Sequence, residues 1–307
     1  METRRLELLL ALSRLGSMRE VADAGGMTTS TVSQQLAALA REVGTPLLEP
    51  DGRRVRLTPA GRRLADHAVG VLAAVEAARL DLDPDAVPAG VVRVAGFATA
   101  VRRDLMPVVR DLAATHPGVQ LQLHEFEPPE ALARLAADEV DLALVYDYAL
   151  APVATDAGRS AVELWSSRWG LGAPGEGEQL LPADRDAAAV CAVYRNLDWI
   201  VNSRNTADEV VLRILGAQAG FVPRITHQVD SLELVQEMIV AGLGVGLLPQ
   251  SAPTVPGVAV LPLRRPDVRL RARAVTRRGS EGWAPLALVL DRLVAGAARR
   301  SDPWLQG

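Results

Sequence analysis

Between Thr28 and Gly44 the chain reads TTSTVSQQLAALAREVG, with hydroxyls and amides crowded into its first half and no charge before Arg41. At about 100° per residue, Val32, Leu36, Leu39 and Val43 fall on one face of a helix. Ser30, Gln34, Ala37 and Arg41 fall opposite, flanked by Thr31 and Ser33, with Thr29 in the first turn. Such a face is small enough to press closely against another polymer. Its amides and hydroxyls can exchange hydrogen bonds with base edges in a major groove, and Gln can bridge two edge atoms of adenine. The helix N-terminus adds free N–H groups that favour phosphate. Arg53, Arg54 and Arg56 follow on a short hairpin, and Arg62 and Arg63 open the next helix. These arginines would supply sequence-independent attraction to a polyanion.

A second set of residues lies further along. Ala98, Thr99 and Ala100 follow a strand-like run and open a helix, and Asn202, Ser203 and Arg204 occupy a corresponding strand-to-helix corner. Pro128 and Pro129 follow another strand, and Tyr146 and Asp147 end a third. Crevices outside the carboxyl ends of parallel strands are where small ligands sit by default, and helix N-termini favour anions. The expected ligand is therefore a small carboxylate spanning Thr99 and Ser203, with Arg204 as charge partner. Asp147 beside it would have to face a hydroxyl or an amine.

Other chemistries find no support. GLGAPG at 170–175 matches a dinucleotide fingerprint by letter but continues into a loop instead of a helix. GLGVG at 242–246 reads as a helix end turning into a strand. His67, His116, His124 and His227 have no metal-ligand spacing, and no nucleophile elbow or Cys/His pair stands out. The single Cys191 cannot form an intramolecular disulfide and reads as buried and inert. Asp184 and Asp186 around Arg185 read as a solvated helix cap. No metal, cofactor or catalytic role is expected.

The elements that position these groups can be read from capping and periodicity. A leucine stripe marks a helix over 4–15. Ser17 with Glu20 signals a second helix, ended by Gly25-Gly26, and Thr28 caps the third. Two short helices across a Gly-containing turn make a helix-turn-helix candidate. A hairpin through Asp51-Gly52 follows, then Thr58-Pro59 opens a long helix to about Leu82, with apolar positions at 64, 68, 71, 72, 75 and 78. Its neighbours are a wing and a linker marked by Pro84 and Pro88, so the same helix of a second chain is its expected partner. From Gly90 a βαβαβ run implies a parallel sheet. The pattern loosens between about 150 and 197, then resumes with strands at 198–202, 225–229, 245–248, 258–263 and 268–276 and helices at 206–219, 231–241 and 283–298.

The totals suit this division. The 307 residues are 49% hydrophobic with a net charge of −4, which excludes a wholly basic coat protein but not one basic module beside an acidic one. All 33 basic residues are arginine, so phosphate contacts must come from Arg or neutral donors. The apolar run at the N-terminus is broken by Arg and Ser, unlike a signal peptide. With no stretch apolar enough to span a bilayer, no membrane contact and a cytoplasmic location are expected.

The segment from Gly16 to Leu64, GSMREVADAGGMTTSTVSQQLAALAREVGTPLLEPDGRRVRLTPAGRRL, closely resembles the winged helix of LysR-type transcriptional regulators. The similarity continues through LMPVVRDLAATHPGVQLQL, ALARLAADEVDLALV and DSLELVQEMIVAGLGVGLLP. The resemblance implies an α/β protein with three parts. These are a winged helix-turn-helix over 1–58, a linker and dimerisation helix with hinge over 59–89, and a two-lobed, periplasmic-binding-protein-like effector domain over 90–300. Lobe I would take about 90–160 and 266–300, and lobe II about 161–265. It also implies double-stranded promoter DNA and a small-molecule effector as partners, self-association as a dimer or tetramer, and contact with RNA polymerase as one route to activation. Members often carry Phe and Arg where this chain has Leu48 and Pro50, and a basic residue at Gln34. Their absence shifts binding toward Arg53, Arg54, Arg56 and the helix N-terminus. The rival is a solute-binding protein or enzyme with an incidental winged helix.

Overall fold

The computed structural model describes residues 1–52, 54–82, 87–154, 156–175 and 185–299. Arg53, Pro84 and Asp184 lie outside them. Helices α1 (Thr3–Leu15), α2 (Met18–Gly25) and α3 (Thr29–Val43) close around Leu6, Leu9, Val21, Val32, Leu36 and Leu39. Ser17 and Thr28 are N-caps, accepting from the Glu20 and Thr31 amides and so satisfying donors that the helices leave free. Gly26 takes a φ of 61° at the end of α2, a left-handed turn that a side chain would oppose. Strands β1 (Leu48–Asp51) and β2 (Arg54–Leu57) pair antiparallel as the wing.

Helix α4 (Pro59–Leu82) begins at Thr58, whose hydroxyl donates to the Pro46 carbonyl and accepts from the Gly61 amide. A Cβ on Gly61 would collide with the Leu47 carbonyl oxygen, so this crossing over the wing requires glycine. The expectation that α4 has no partner in its own chain is not met. Ala65, Ala68, Val69 and Ala73 are buried, and α4 packs on α1 and on the C-terminal part of the chain. Val71, Ala74 and Ala78 stay exposed.

The rest is a mixed α/β body. Strand β3 (Gly90–Gly96) runs into α5 (Ala98–Ala100), a π-helical turn (Val101–Leu105) and α6 (Met106–Thr115) as one continuous helix. Then come β4 (Val119–Glu125), α7 (Pro128–Ala136), β5 (Leu142–Tyr148), the long β6 (Arg159–Pro174) and α8 (Ala187–Val193). β7 (Asp198–Val201), α9 (Ala207–Gln218), β8 (Arg224–Gln228), α10 (Leu232–Val240), β9 (Val245–Pro249) and β10 (Val258–Pro262) follow. β11 (Arg269–Arg277), a 3-10 turn (Ser280–Gly282) and α11 (Ala284–Arg299) complete the described chain. The strand order is β4-β3-β5-β11-β6-β9-β7-β8, with β10 also on β6.

Strand β6 divides the sheet. It pairs with β11 from Arg159 to Arg168 and with β9 from Trp169 onward. Its change of partner falls at Arg168/Trp169. The chain returns between β10 and β11, where the Trp169 amide donates to the Val268 carbonyl at 2.8 Å.

An ionic cluster fixes lobe I to the N-terminal module. Arg14 of α1 pairs with Asp138, which follows α7. Arg277 of β11 pairs with Asp138 and lies 3.6 Å from Asp141, while Arg93 of β3 holds Asp141 at 2.7 Å. Arg277 also donates to the Leu135 and Val140 carbonyls. Burial disfavours the Asp141 carboxylate, but hydrogen bonds and charge from Arg93 outweigh it and hold its pKa below the usual range. The Arg277 side chain is only 12% exposed, so Arg277→Met removes a buried cation from two carboxylates and leaves Asp138 to Arg14 and Asp141 to Arg93. It should cost about 2–4 kcal/mol of unfolding free energy. Arg14→Ala, at a more open pair, should cost under about 1 kcal/mol. Urea unfolding of both variants checks the contrast, and equal losses would contradict it.

Candidate functional site

On α3 the packing matches the periodicity. Val32, Leu36 and Leu39 are each 0% exposed, while Thr29, Ser30, Thr31, Ser33, Gln34, Ala37 and Arg41 are exposed. Their roles differ. The Thr31 hydroxyl lies 2.8 Å from that of Thr28 and belongs to the cap. Gln35, next to Gln34, accepts from Arg5 Nε at 2.9 Å and ties α3 to α1. The Gln34 side chain makes no hydrogen bond among the described residues. On the wing, Arg54 stands opposite Asp51 in register, and Arg56 Nε lies 2.9 Å from Glu49 Oε1. Both partners of that last pair are solvated, so Arg56 can exchange Glu49 for another anion at little cost.

The inter-lobe boundary is built from strand ends and helix starts, and polar contacts cross it. Glu127 precedes Pro128 and forms a capping box with Glu130 on α7, which leaves its carboxylate facing lobe II. There it accepts from Tyr146 Oη at 2.8 Å and from Asn205 Nδ2 at 2.6 Å. Asn205 also reaches Tyr146 Oη at 2.8 Å and caps α9 through the Ala207 amide. Tyr148 Oη of lobe I donates to Asp208 Oδ1 of lobe II at 2.8 Å, and the Asp208 amide donates to Asn202 Oδ1 at 3.2 Å. Nearer the rim, Arg102 reaches across to Glu233 at 3.0 Å.

Burial acts on both central carboxyl groups. Loss of solvent, opposed by the Tyr148 hydrogen bond, pushes Asp208 up to about 7. Loss of solvent also raises Glu127, against the bonds from Tyr146 and Asn205. Tyr146 and Tyr148 are raised well above 10 by burial and by these carboxylates, so both remain donors.

Several expected ligand contacts need correction. The Ser203 amide and hydroxyl, the Arg204 amide and Arg204 Nε are all held by Asp230. Arg204 also lies 3.5 Å from Glu130 and 3.6 Å from Glu125. The chain's own carboxylate thus fills the corner expected to receive a ligand's. Asp147 does not share the cleft with Tyr146, because adjacent strand residues point to opposite faces. It is 1% exposed and sits between Arg271 and Arg273 on the α7 side of the sheet. Ala100 is buried in the core, whereas Thr99 is exposed and Ala98 half-buried at the helix start. Pro128 is buried behind Glu127. Asn202 is the predicted corner residue that joins the network, donating to Tyr146 Oη at 3.4 Å. Glu127, Tyr148, Asn205, Asp208 and Asp230 escaped sequence reasoning. Only Glu127 had a local signal, the E-P-P-E cap. Among the described residues no group of His, Cys, Asp and Glu could hold a metal ion, and no helix is long and apolar enough to cross a membrane.

A winged helix-turn-helix on a long helix, joined to two lobes with a polar boundary, defines a DNA-binding head coupled to a ligand-binding body. Residues 3–62 match the model of the bacterial regulatory helix-turn-helix protein, lysR family, and residues 85–298 match the LysR substrate binding domain. The chain belongs to the LysR family of transcriptional regulators, which sets aside the solute-binding and enzyme reading. It is 26% identical to the transcriptional dual regulator GltC of Bacillus subtilis, over 94% of each chain. It is 28% identical to the dual regulator OxyR of Escherichia coli, over 98% of this chain and 96% of that one. Among solved structures, full-length OxyR of Pseudomonas aeruginosa superposes with a TM-score of 0.68 at 19% identity, covering 95% of this chain and 94% of that one. LysG of Corynebacterium glutamicum with bound effector Arg gives 0.65 at 23% identity, covering 97% and 99%.

The raised Asp208 has a measurable signature. Between its ordinary value of 3.8 and about 7, the folded chain holds a proton that the unfolded chain releases. Stability from this group is therefore lost as pH rises through that window. Asp208→Asn keeps the shape without the titration. It should reduce the fall in unfolding free energy between about pH 5 and 7.5 by about 1–3 kcal/mol. An unchanged pH slope in chemical denaturation would refute the assignment.

Proposed function

We propose that α3 reads base edges in the major groove of promoter DNA through Thr29, Ser30, Thr31, Ser33 and Gln34, while Arg53, Arg54 and Arg56 hold phosphates. The observation carrying this reading is the exposed face of α3, uncharged from Thr29 to Ala37 and backed by the buried Val32, Leu36 and Leu39. A charged face would grip any duplex, whereas amides and hydroxyls discriminate between bases. Two such helices in a dimer enter successive grooves of a partly palindromic site. The outward face of α4, with Val71, Ala74 and Ala78 exposed, suits the seam between two copies better than Leu72 and Val75, which turn toward α1 and lobe I. Higher assembly and polymerase contact would build on that dimer.

The effector enters between the lobes beside Ala98, Thr99, Tyr146, Asn202 and Asn205. It replaces bonds of the Glu127–Tyr146–Asn205 and Tyr148–Asp208 groups, so it carries hydrogen-bond donors toward those carboxyls. A ligand carboxylate would be confined to the Thr99 end, because Asp230 already occupies the Ser203 and Arg204 donors. The ligand controls DNA only by binding two arrangements of the lobes unequally. Cys191 takes no part: it is 1% exposed, and burial pushes its thiol up to about 12.

Gln34→Ala should cost about 1–3 kcal/mol on the best site in the upstream region and relax preference at one base pair. Arg54→Ala should weaken all duplexes alike and flatten the salt dependence. Fluorescence-anisotropy titrations on specific and shuffled duplexes separate the two. Identical losses on both would overturn this division of roles.

A further inference from the structure

We propose that lobe I holds a second small-molecule site, outside the inter-lobe boundary, for a compact apolar carboxylate. Between α7, β5 and β11 lies a cavity of about 430 Å³, a volume in the range of small-ligand pockets. Pro128, Pro129, Leu132, Val145 and Val275 form apolar walls, and Arg159 and Arg273 also line it.

The charges around it are unevenly matched. Arg159 makes no ion pair among the described residues. It lies directly opposite Arg277 in the β6–β11 register, but the Arg277 charge is met by Asp138 and Asp141, which leaves Arg159 as the cation to be matched. Most carboxylates nearby are already committed to other groups. Asp138 and Asp141 are engaged by Arg277 and Arg93. Asp147 is held by Arg271 and Arg273 and accepts from the Val153 amide at 2.9 Å. Asp156 accepts from the Gly158 amide at 3.0 Å. Glu163 is opposite Arg273, about 13 Å along the strand from Arg159. A ligand with an apolar body and one carboxylate would fill the cavity and neutralise Arg159.

The site also adjoins the lobe boundary. Tyr146 and Pro128 line the cavity, and the neighbouring Glu127 carboxylate holds Tyr146 and Asn205. An occupant would press on those contacts from behind the cleft, giving a second input to lobe closure.

The test is calorimetry of the full-length protein with 2-naphthoate, and with 2-naphthamide as its uncharged counterpart. Saturable binding with one site per chain and a preference for naphthoate is expected. Arg159→Gln should weaken naphthoate about ten- to hundredfold, the worth of a charged hydrogen bond, and leave naphthamide unchanged. Ala133→Trp, at an exposed position on the cavity wall, should abolish binding of both. Arg159→Gln alters only this one cation and keeps the test alive if the tryptophan variant fails to fold. No saturable binding, or equal naphthoate affinity in wild type and Arg159→Gln, would overturn the proposal. So would binding that survives Ala133→Trp but is lost in Thr99→Val, which would place the ligand between the lobes.

Discussion

A carboxyl group withdrawn from water must find its hydrogen bonds elsewhere, and here the opposite lobe supplies them. Glu127 belongs to lobe I and takes a donor from Asn205 of lobe II. Asp208 belongs to lobe II and takes its donor from Tyr148 of lobe I. Neither lobe satisfies its own central acid completely, so closure and desolvation occur together. Opening the boundary returns both acids to water, and a ligand with suitable donors can take the place of either partner. If a ligand replaces one of these bonds, it shifts the lobes only by the difference in its affinity for the two arrangements.

The two lobes are not equivalent with respect to the DNA-binding head. Lobe I carries Asp138 and Asp141, which with Arg93 and Arg277 form a buried cluster reached by Arg14 of α1. Helix α4 also approaches the Gly279 backbone closely at Gly70. Lobe II joins lobe I through β6 and the return segment before β11. In the proposed scheme, lobe I is therefore the base and lobe II the part that moves. In that scheme a change at the boundary would reach α3 through the base on which α1 and α4 rest.

How much of this was visible in the sequence follows from the range of each interaction. Helix α3 was legible because its two faces separate at helical period and its caps, Thr28 and Gly44, are local. The strand-to-helix corners were located correctly at Thr99 and Asn202. Strand β6 was missed because it is buried on both faces over much of its length and changes partners midway, which erases alternation. Helix α8 is a two-turn Ala-rich segment, AAAVCAV, in which no polar face sets off the buried Ala187, Val190 and Cys191. Asp147 was placed in the cleft because a one-residue step along a strand reverses the face. The Asp230 carboxylate at the Ser203 corner comes from a neighbouring strand end, and no local pattern announces it. Likewise Asp208 and Tyr148 are distant in sequence and meet only when the lobes meet.

The most direct test of control through the lobe boundary is a footprint of the full-length protein on its own upstream region, wild type against Asn205→Ala, without added ligand. Asn205 lies far from α3 along the chain and belongs to the boundary. If boundary contacts set the disposition of the DNA-binding heads, the variant should show an altered footprint length or altered hypersensitivity between half-sites. Its affinity for an isolated half-site should stay that of wild type. A footprint and affinities identical to wild type would show that the boundary does not govern how the protein sits on DNA.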